Sequence, residues 1–100
     1  MTTQLTVAVR EDARPPVLAV GGEIDMANAG EFRAALAGLT ARHDRVEVDL
    51  TAVRYLDSAA INVIYDHLRR VSRVLVAEDS VIFRALAIAG LSEVVTRSSS

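Results

Sequence analysis

Two small polar residues, Asp57 and Ser58, stand between an apolar run and a helical one in RYLDSAAINVIYDHLRR, residues 54–70. A serine at such a junction can do two kinds of work. Its oxygen can accept a hydrogen bond from a free N–H in the helix's first turn, or its hydroxyl can be a chemical target. Asp57 is an equally good cap, so residue types alone leave the role of Ser58 open.

Catalysis by Ser58 would need a paired base, and the usual strand-to-helix nucleophile turn is G-x-S-x-G. Here Leu56-Asp57 precede the serine and Ala59-Ala60 follow it. His43 and His67 are isolated, one at a helix end and one on a polar helix face, and read as solvated surface residues. The chain has no cysteine, which excludes disulfides, thiolate metal sites and a Cys nucleophile. It has no Walker loop, no G-x-G-x-x-G and no His-rich metal spacing. The expectation is a protein that is not an enzyme and carries no cofactor or metal.

At 51% hydrophobic and 24% charged residues, the chain is too apolar for disorder and fits one globular domain. The aromatics are Phe32, Tyr55, Tyr65 and Phe83, so the core must be built from Val, Leu, Ile and Ala. Net charge is −2, and the densest basic cluster, Arg69-Arg70 with Arg73, is too small for a nucleic-acid footprint. No apolar run reaches the length of a membrane span, and MTTQLTVAVRED lacks a signal-peptide pattern. These features predict a monomeric, cytoplasmic domain that binds neither nucleic acid nor membrane.

The elements that must position Ser58 follow from periodicity. QLTVAVR (4–10) alternates as a half-exposed strand does, and Pro15-Pro16 punctuate. VLAVGGEID (17–25) is a second strand, paired with the first as an antiparallel hairpin. Gly21-Gly22 predict a bulge or a close backbone approach within it. Asn28 and Glu31 have capping-box spacing, and Phe32, Leu36 and Leu39 mark the buried stripe of a helix to about Arg42. RVEVDL (45–50) is a third strand, followed by a turn-like Thr51-Ala52.

From Ser58 the period becomes helical, with Ile61, Ile64, Leu68 and Val71 on one stripe and Asn62, Asp66 and Arg69 facing elsewhere. RVLVAE (73–78) is a continuous apolar run, which suits a strand covered on both faces. Asp79 or Ser80 caps a third helix through Ala89, stopped by Gly90, and SEVVTR (92–97) is a short last strand. The domain is expected over residues 1–97, with 98–100 a frayed tail. The order β-β-α-β-α-β-α-β implies an α/β fold with a mostly parallel sheet, right-handed crossovers and an N-terminal hairpin.

Three stretches carry a resemblance. VDLTAVRYLDSAAINVI (48–64), GGEID (21–25) and FRALAIAGLSEVV (83–95) resemble, in order, three hallmarks of STAS-domain anti-sigma factor antagonists: the Asp-Ser signature, the end of the second strand, and the closing helix and strand. The resemblance implies a single STAS-like domain with about three helices mainly on one face of a mixed sheet.

It also implies a partner switch. Ser58 stands where the family is phosphorylated by an anti-sigma factor of the ATP-binding serine-kinase type. The unphosphorylated antagonist binds that anti-sigma factor, phosphorylation prevents binding, and a phosphatase restores it. The partner surface implied for this chain comprises Asp25, Asn28, Asp57, Ser58, Ala59, Ala60 and Asn62. The alternative is a STAS interaction module that is never phosphorylated and serves a transporter or signalling complex as accessory subunit. Where the family commonly has Ser-Gly or Ala-Gly after the signature serine, this chain has Ala59-Ala60. Alanine favours helix over glycine by about 1 kcal/mol, which predicts a firmer helix start.

Overall fold

The strands show their buried face in their residue pattern. Val46, Val48 and Leu50 are buried while Glu47 and Asp49 between them are not, the signature of a sheet covered on one side. The computed structural model describes residues 4–78 and 80–98. Its elements are β1 (Leu5–Arg10), β2 (Val17–Ile24), α1 (Ala29–Arg42), β3 (Val46–Leu56), α2 (Ser58–Asp66), β4 (Val71–Ala77), α3 (Val81–Ile88) and β5 (Val95–Ser98).

The sheet runs β1-β2-β3-β4-β5, in chain order. β1 pairs antiparallel with β2, and every later pair is parallel. Right-handed crossovers that always step the same way put all three helices on one face. Phe32, Leu36 and Leu39 of α1, Val63 and Ile64 of α2, and Ile82 and Leu86 of α3 form the core with Leu18, Val20, Val48, Leu50, Val74 and Val76. The opposite face carries Ala8, Ala19 and Ala52, with Arg73 paired to Glu47 at 3.1 Å. Fold class, hairpin and element order are therefore those expected.

Gly21-Gly22 do both things foreseen for them. The β2–β3 register shifts on either side of the pair. Gly22 has φ 90°, and a Cβ there would lie 2.2 Å from the carbonyl oxygen of Gln4. Only glycine fits.

Five local expectations are corrected. β4 is covered on one face only: Val71, Val74 and Val76 are buried, while Ser72 and Arg73 are exposed. Thr51-Ala52 make no turn: β3 runs through them to Leu56, and the irregularity becomes two register shifts within the strand. The local turn chemistry survives, because the Thr51 N–H and hydroxyl both donate to Asp49 Oδ1, at 2.9 and 2.7 Å. Val71 does not extend the helical stripe. α2 ends at Asp66, a tight turn over 67–70 comes next, and Val71 opens β4, so the buried residues of α2 are Ala60, Val63 and Ile64.

The capping box of Asn28 and Glu31 does not form, since the Asn28 side chain makes no capping hydrogen bond. The last strand is shifted to Val95–Ser98, behind a turn over 92–94. Of the tail expected at 98–100, Ser98 belongs to β5, and 99–100 lie outside the described residues, as does Asp79. Ser80 caps α3, its hydroxyl accepting the Ile82 N–H at 2.9 Å, and Gly90 (φ 87°) follows the helix end. Among the described residues, no helix is long and apolar enough to cross a membrane.

Candidate functional site

Two parallel strands end side by side. Ile24 of β2 is in register with Leu56 of β3, and the Asp57 N–H donates to the Ile24 carbonyl at 3.2 Å. β3 passes into α2 through Asp57 and β2 reaches α1 through residues 25–28, so the starts of α1 and α2 are neighbours at one end of the sheet. The two register shifts in β3 lie just before this point, where bulges bend a strand and re-aim the side chains beyond the bend.

Asp57 is the cap of α2. Its carboxylate accepts the Ala59 N–H at 2.9 Å, and its carbonyl accepts from Ala60 and Ile61. Ser58 is thereby released from capping. It is the first residue of the helix, exposed, and among the described residues its hydroxyl has no hydrogen-bond partner. Of the two roles left open by the sequence, the cap has gone to Asp57.

The loop before α1 is held from inside. Asp25 Oδ1 accepts the N–H groups of Ala27 and Asn28, at 2.9 and 3.2 Å, and its carbonyl accepts that of Ala29 at 2.8 Å. Asn28 is buried. Its Oδ1 accepts the Asp25 N–H and its Nδ2 donates to the Glu23 carbonyl, both at 2.9 Å. This latch replaces the cap: an asparagine with a backbone donor and acceptor behind it satisfies both at once, in a part-buried position.

Of the residues expected at the partner surface, Ser58 and Asn62 are exposed, Asp25, Asp57 and Ala59 are partly so, and Asn28 and Ala60 are buried. Asn28 and Ala60 support the surface from beneath. What the sequence reading missed is Met26, 83% exposed in the loop between Asp25 and Asn28. The signal was available: a loop of four residues between Ile24 and Ala29 is too short to fold a side chain back onto the core. Tyr55, near the end of β3, is 51% exposed. One large exposed apolar residue thus lies in the loop after β2 and another near the end of β3.

Neither histidine is bonded to Ser58. His43 Nε2 lies 2.7 Å from Glu11 Oε2. His67 Nδ1 is 2.7 Å from the Val63 carbonyl, which can only accept, so Nδ1 carries the proton. Tyr65 donates its hydroxyl to the Ala89 carbonyl and ties α2 to the end of α3.

A run of four parallel strands, the first of them shared with an antiparallel hairpin, and a serine at the start of the helix after the third strand define a STAS-type domain. The family model described as the MlaB STAS domain matches residues 7–96, and the chain belongs to that family. No curated protein matches it. Among solved structures, an anti-sigma factor antagonist from Mycobacterium paratuberculosis superposes with TM-score 0.80 at 21% identity, over 97% of this chain and 87% of that one. The anti-sigma factor antagonist SpoIIAA in its unphosphorylated form gives 0.77 at 12% identity, over 95% and 90%. A protein of the DUF3478 family with a SpoIIAA-like fold, from Shewanella loihica, gives 0.60 at 12%, over 90% and 80%. At these identities the likeness is one of fold.

Proposed function

We propose that this chain is a cytoplasmic, non-enzymatic anti-sigma factor antagonist in a partner-switching cascade. Unphosphorylated, it binds an anti-sigma factor of the ATP-binding serine-kinase type through Ser58, Asp57, Asn62, Ala59 and the Asp25–Asn28 loop. Phosphorylation of Ser58 ends the binding, and a phosphatase restores it. The observation that carries the reading is the exposed, unengaged hydroxyl of Ser58 beside a helix cap supplied by another residue. The shared fold with antagonists, one of them described in an unphosphorylated form, supports it.

The physics of the switch is local. A phosphoserine carries about −1.5 to −2 charges at neutral pH. The first-turn N–H groups of Ala59, Ala60 and Ile61 are already taken by Asp57. The added charge therefore stays on the surface beside the Asp57 carboxylate, and the fold persists. A partner covering it would have to desolvate an unpaired dianion at several kcal/mol, and each 1.4 kcal/mol is about tenfold in affinity.

The test is intact mass after incubation with native-host lysate and ATP, with Ser58→Ala beside wild type. One added phosphate, absent from the variant, is expected. Ser58→Asp should weaken binding to the anti-sigma partner by at least about tenfold while its melting temperature stays near wild type, as for other exposed substitutions. Equal binding by wild type and Ser58→Asp would refute the switch.

A second reading rests on the MlaB type of the family match: a STAS interaction module using the same surface without phosphorylation, as accessory subunit of a transporter or signalling complex. An unmodified Ser58 under conditions that phosphorylate a control antagonist would favour it.

A further inference from the structure

Helix α3 is apolar on both sides. Its residues VIFRALAI contain one charge, Arg84, yet it covers the sheet at its edge, where only one side of a helix can be buried. Ile82 and Leu86 enter the core, while Val81 and Ile88 are 70% and 82% exposed. Beside them, Phe83, Arg84, Ala87, Ile88 and Arg97 line an open groove of about 530 Å³ between α3 and β5.

Two features say what the groove would take. The first is charge. Arg97 lies over the Phe83 ring at 4.5 Å, and among the described residues neither Arg84 nor Arg97 has a carboxylate partner within ion-pair distance, whereas six other arginines do. Glu78 is the described acid on the rim. A guanidinium held over an aromatic ring beside an aliphatic floor is suited to a planar carboxylate flanked by aliphatic groups.

The second is the sheet edge. β5 pairs with β4 on one side and closes the sheet on the other. Val95 and Arg97, in register with buried Val74 and Val76, point to the helix face. A strand added about 4.8 Å beyond β5 would set alternate side chains against the outer flank of α3.

We infer that the α3–β5 edge is a second docking surface, separate from Ser58, for an extended segment of a partner protein. That segment adds a strand to β5 and presents aliphatic side chains and a carboxylate to Ile88, Phe83, Arg84 and Arg97. At four residues, the edge is too short to template open-ended self-association, but it offers backbone donors and acceptors to one short segment.

The experiment titrates isotope-labelled protein with the peptide Thr-Val-Thr-Glu-Thr-Val-Thr and with a companion carrying Lys in place of Glu. Saturable amide shifts confined to α3 and β5 are expected, with the Lys companion weaker by about tenfold or more. Arg84→Glu/Arg97→Glu should reverse the preference between the peptides, a readout that an unfolded variant could not produce. Equal binding of both peptides, shifts centred elsewhere, or absence of saturation at millimolar peptide would overturn the proposal. So would sedimentation showing a dimer that Ile88→Glu dissociates, because a second copy would then be the occupant.

Discussion

The backbone N–H of Asp57 donates to the carbonyl oxygen of Ile24, 33 positions earlier in the chain, across 3.2 Å. This bond makes two loops into one surface. It binds the end of β3 to the end of β2, so the segment carrying Met26 and the segment carrying Ser58 hold a common position. The proposed switch depends on that union, since charge on one loop alters what the other can touch.

Asp57 supports the helix through one side-chain bond, and its removal should be felt as a lost cap. Asp57→Ala is expected to destabilise the domain by about 1 kcal/mol. For a chain of this size that lowers the melting temperature by roughly 4–8 °C. Asp57→Asn keeps an acceptor oxygen and should recover most of the loss. Thermal denaturation followed by circular dichroism checks both.

Asn28 is buried and bridges a part-buried donor and acceptor, so truncation should cost more than truncation at a typical loop asparagine. Asn28→Ala leaves the Asp25 N–H and the Glu23 carbonyl without their partner, a loss of about 2 kcal/mol or more. Urea denaturation should show a lower midpoint with little change in slope, because the surface exposed on unfolding is nearly the same.

Glycine substitutions should split by backbone. Gly22→Ala forces a Cβ against the Gln4 carbonyl at positive φ and must push out the start of β1, breaking the Glu23 N–H bond to that same oxygen. A loss of at least about 2 kcal/mol is expected. Gly30→Ala meets nothing within 4 Å in the first turn of α1 and should be neutral or stabilising by up to about 1 kcal/mol. Denaturation midpoints of the two variants provide the comparison.

Glu11 sets an acid-side dependence. Its hydrogen bond with His43, then that with Arg42, holds its carboxyl below the ordinary value of 4.5. A depressed carboxylate adds stability that is complete above its unfolded pKa and disappears as pH falls through the folded one. The contribution therefore fades below about pH 4.5. Glu11→Gln should show a shallower acid limb in a plot of stability against pH, with curves converging at low pH; melting temperatures across that range measure it.

Element order, hairpin pairing, the glycine bulge and the Asp57-Ser58 junction were legible because each rests on local chemistry. Periodicity, a positive φ and a capping oxygen act within a few residues. Two of the errors were decided by strand pairing with a distant segment, and the one at Asn28 by a competition among near neighbours. Val71 fits the apolar spacing of α2 as well as that of a strand, and pairing with Val46 decides it. Thr51-Ala52 carry turn chemistry, but β2 pairs alongside and keeps them extended. Asn28 has capping spacing, yet Glu23 and Asp25 offer its side chain two better bonds. At the site itself, the competition between Asp57 and Ser58 for the cap could not be read from composition, because both residue types serve. Met26 was overlooked because it stands outside every apolar stripe, so no periodicity singled it out.

A sheet whose spatial order repeats its chain order also has a kinetic meaning. Each strand docks beside one already made, so no strand must wait for a distant partner and every crossover closes a loop of modest length. Growth from the β1–β2 hairpin toward β5 can keep pace with synthesis on the ribosome, and the edge exposed at each stage is the one the next strand covers.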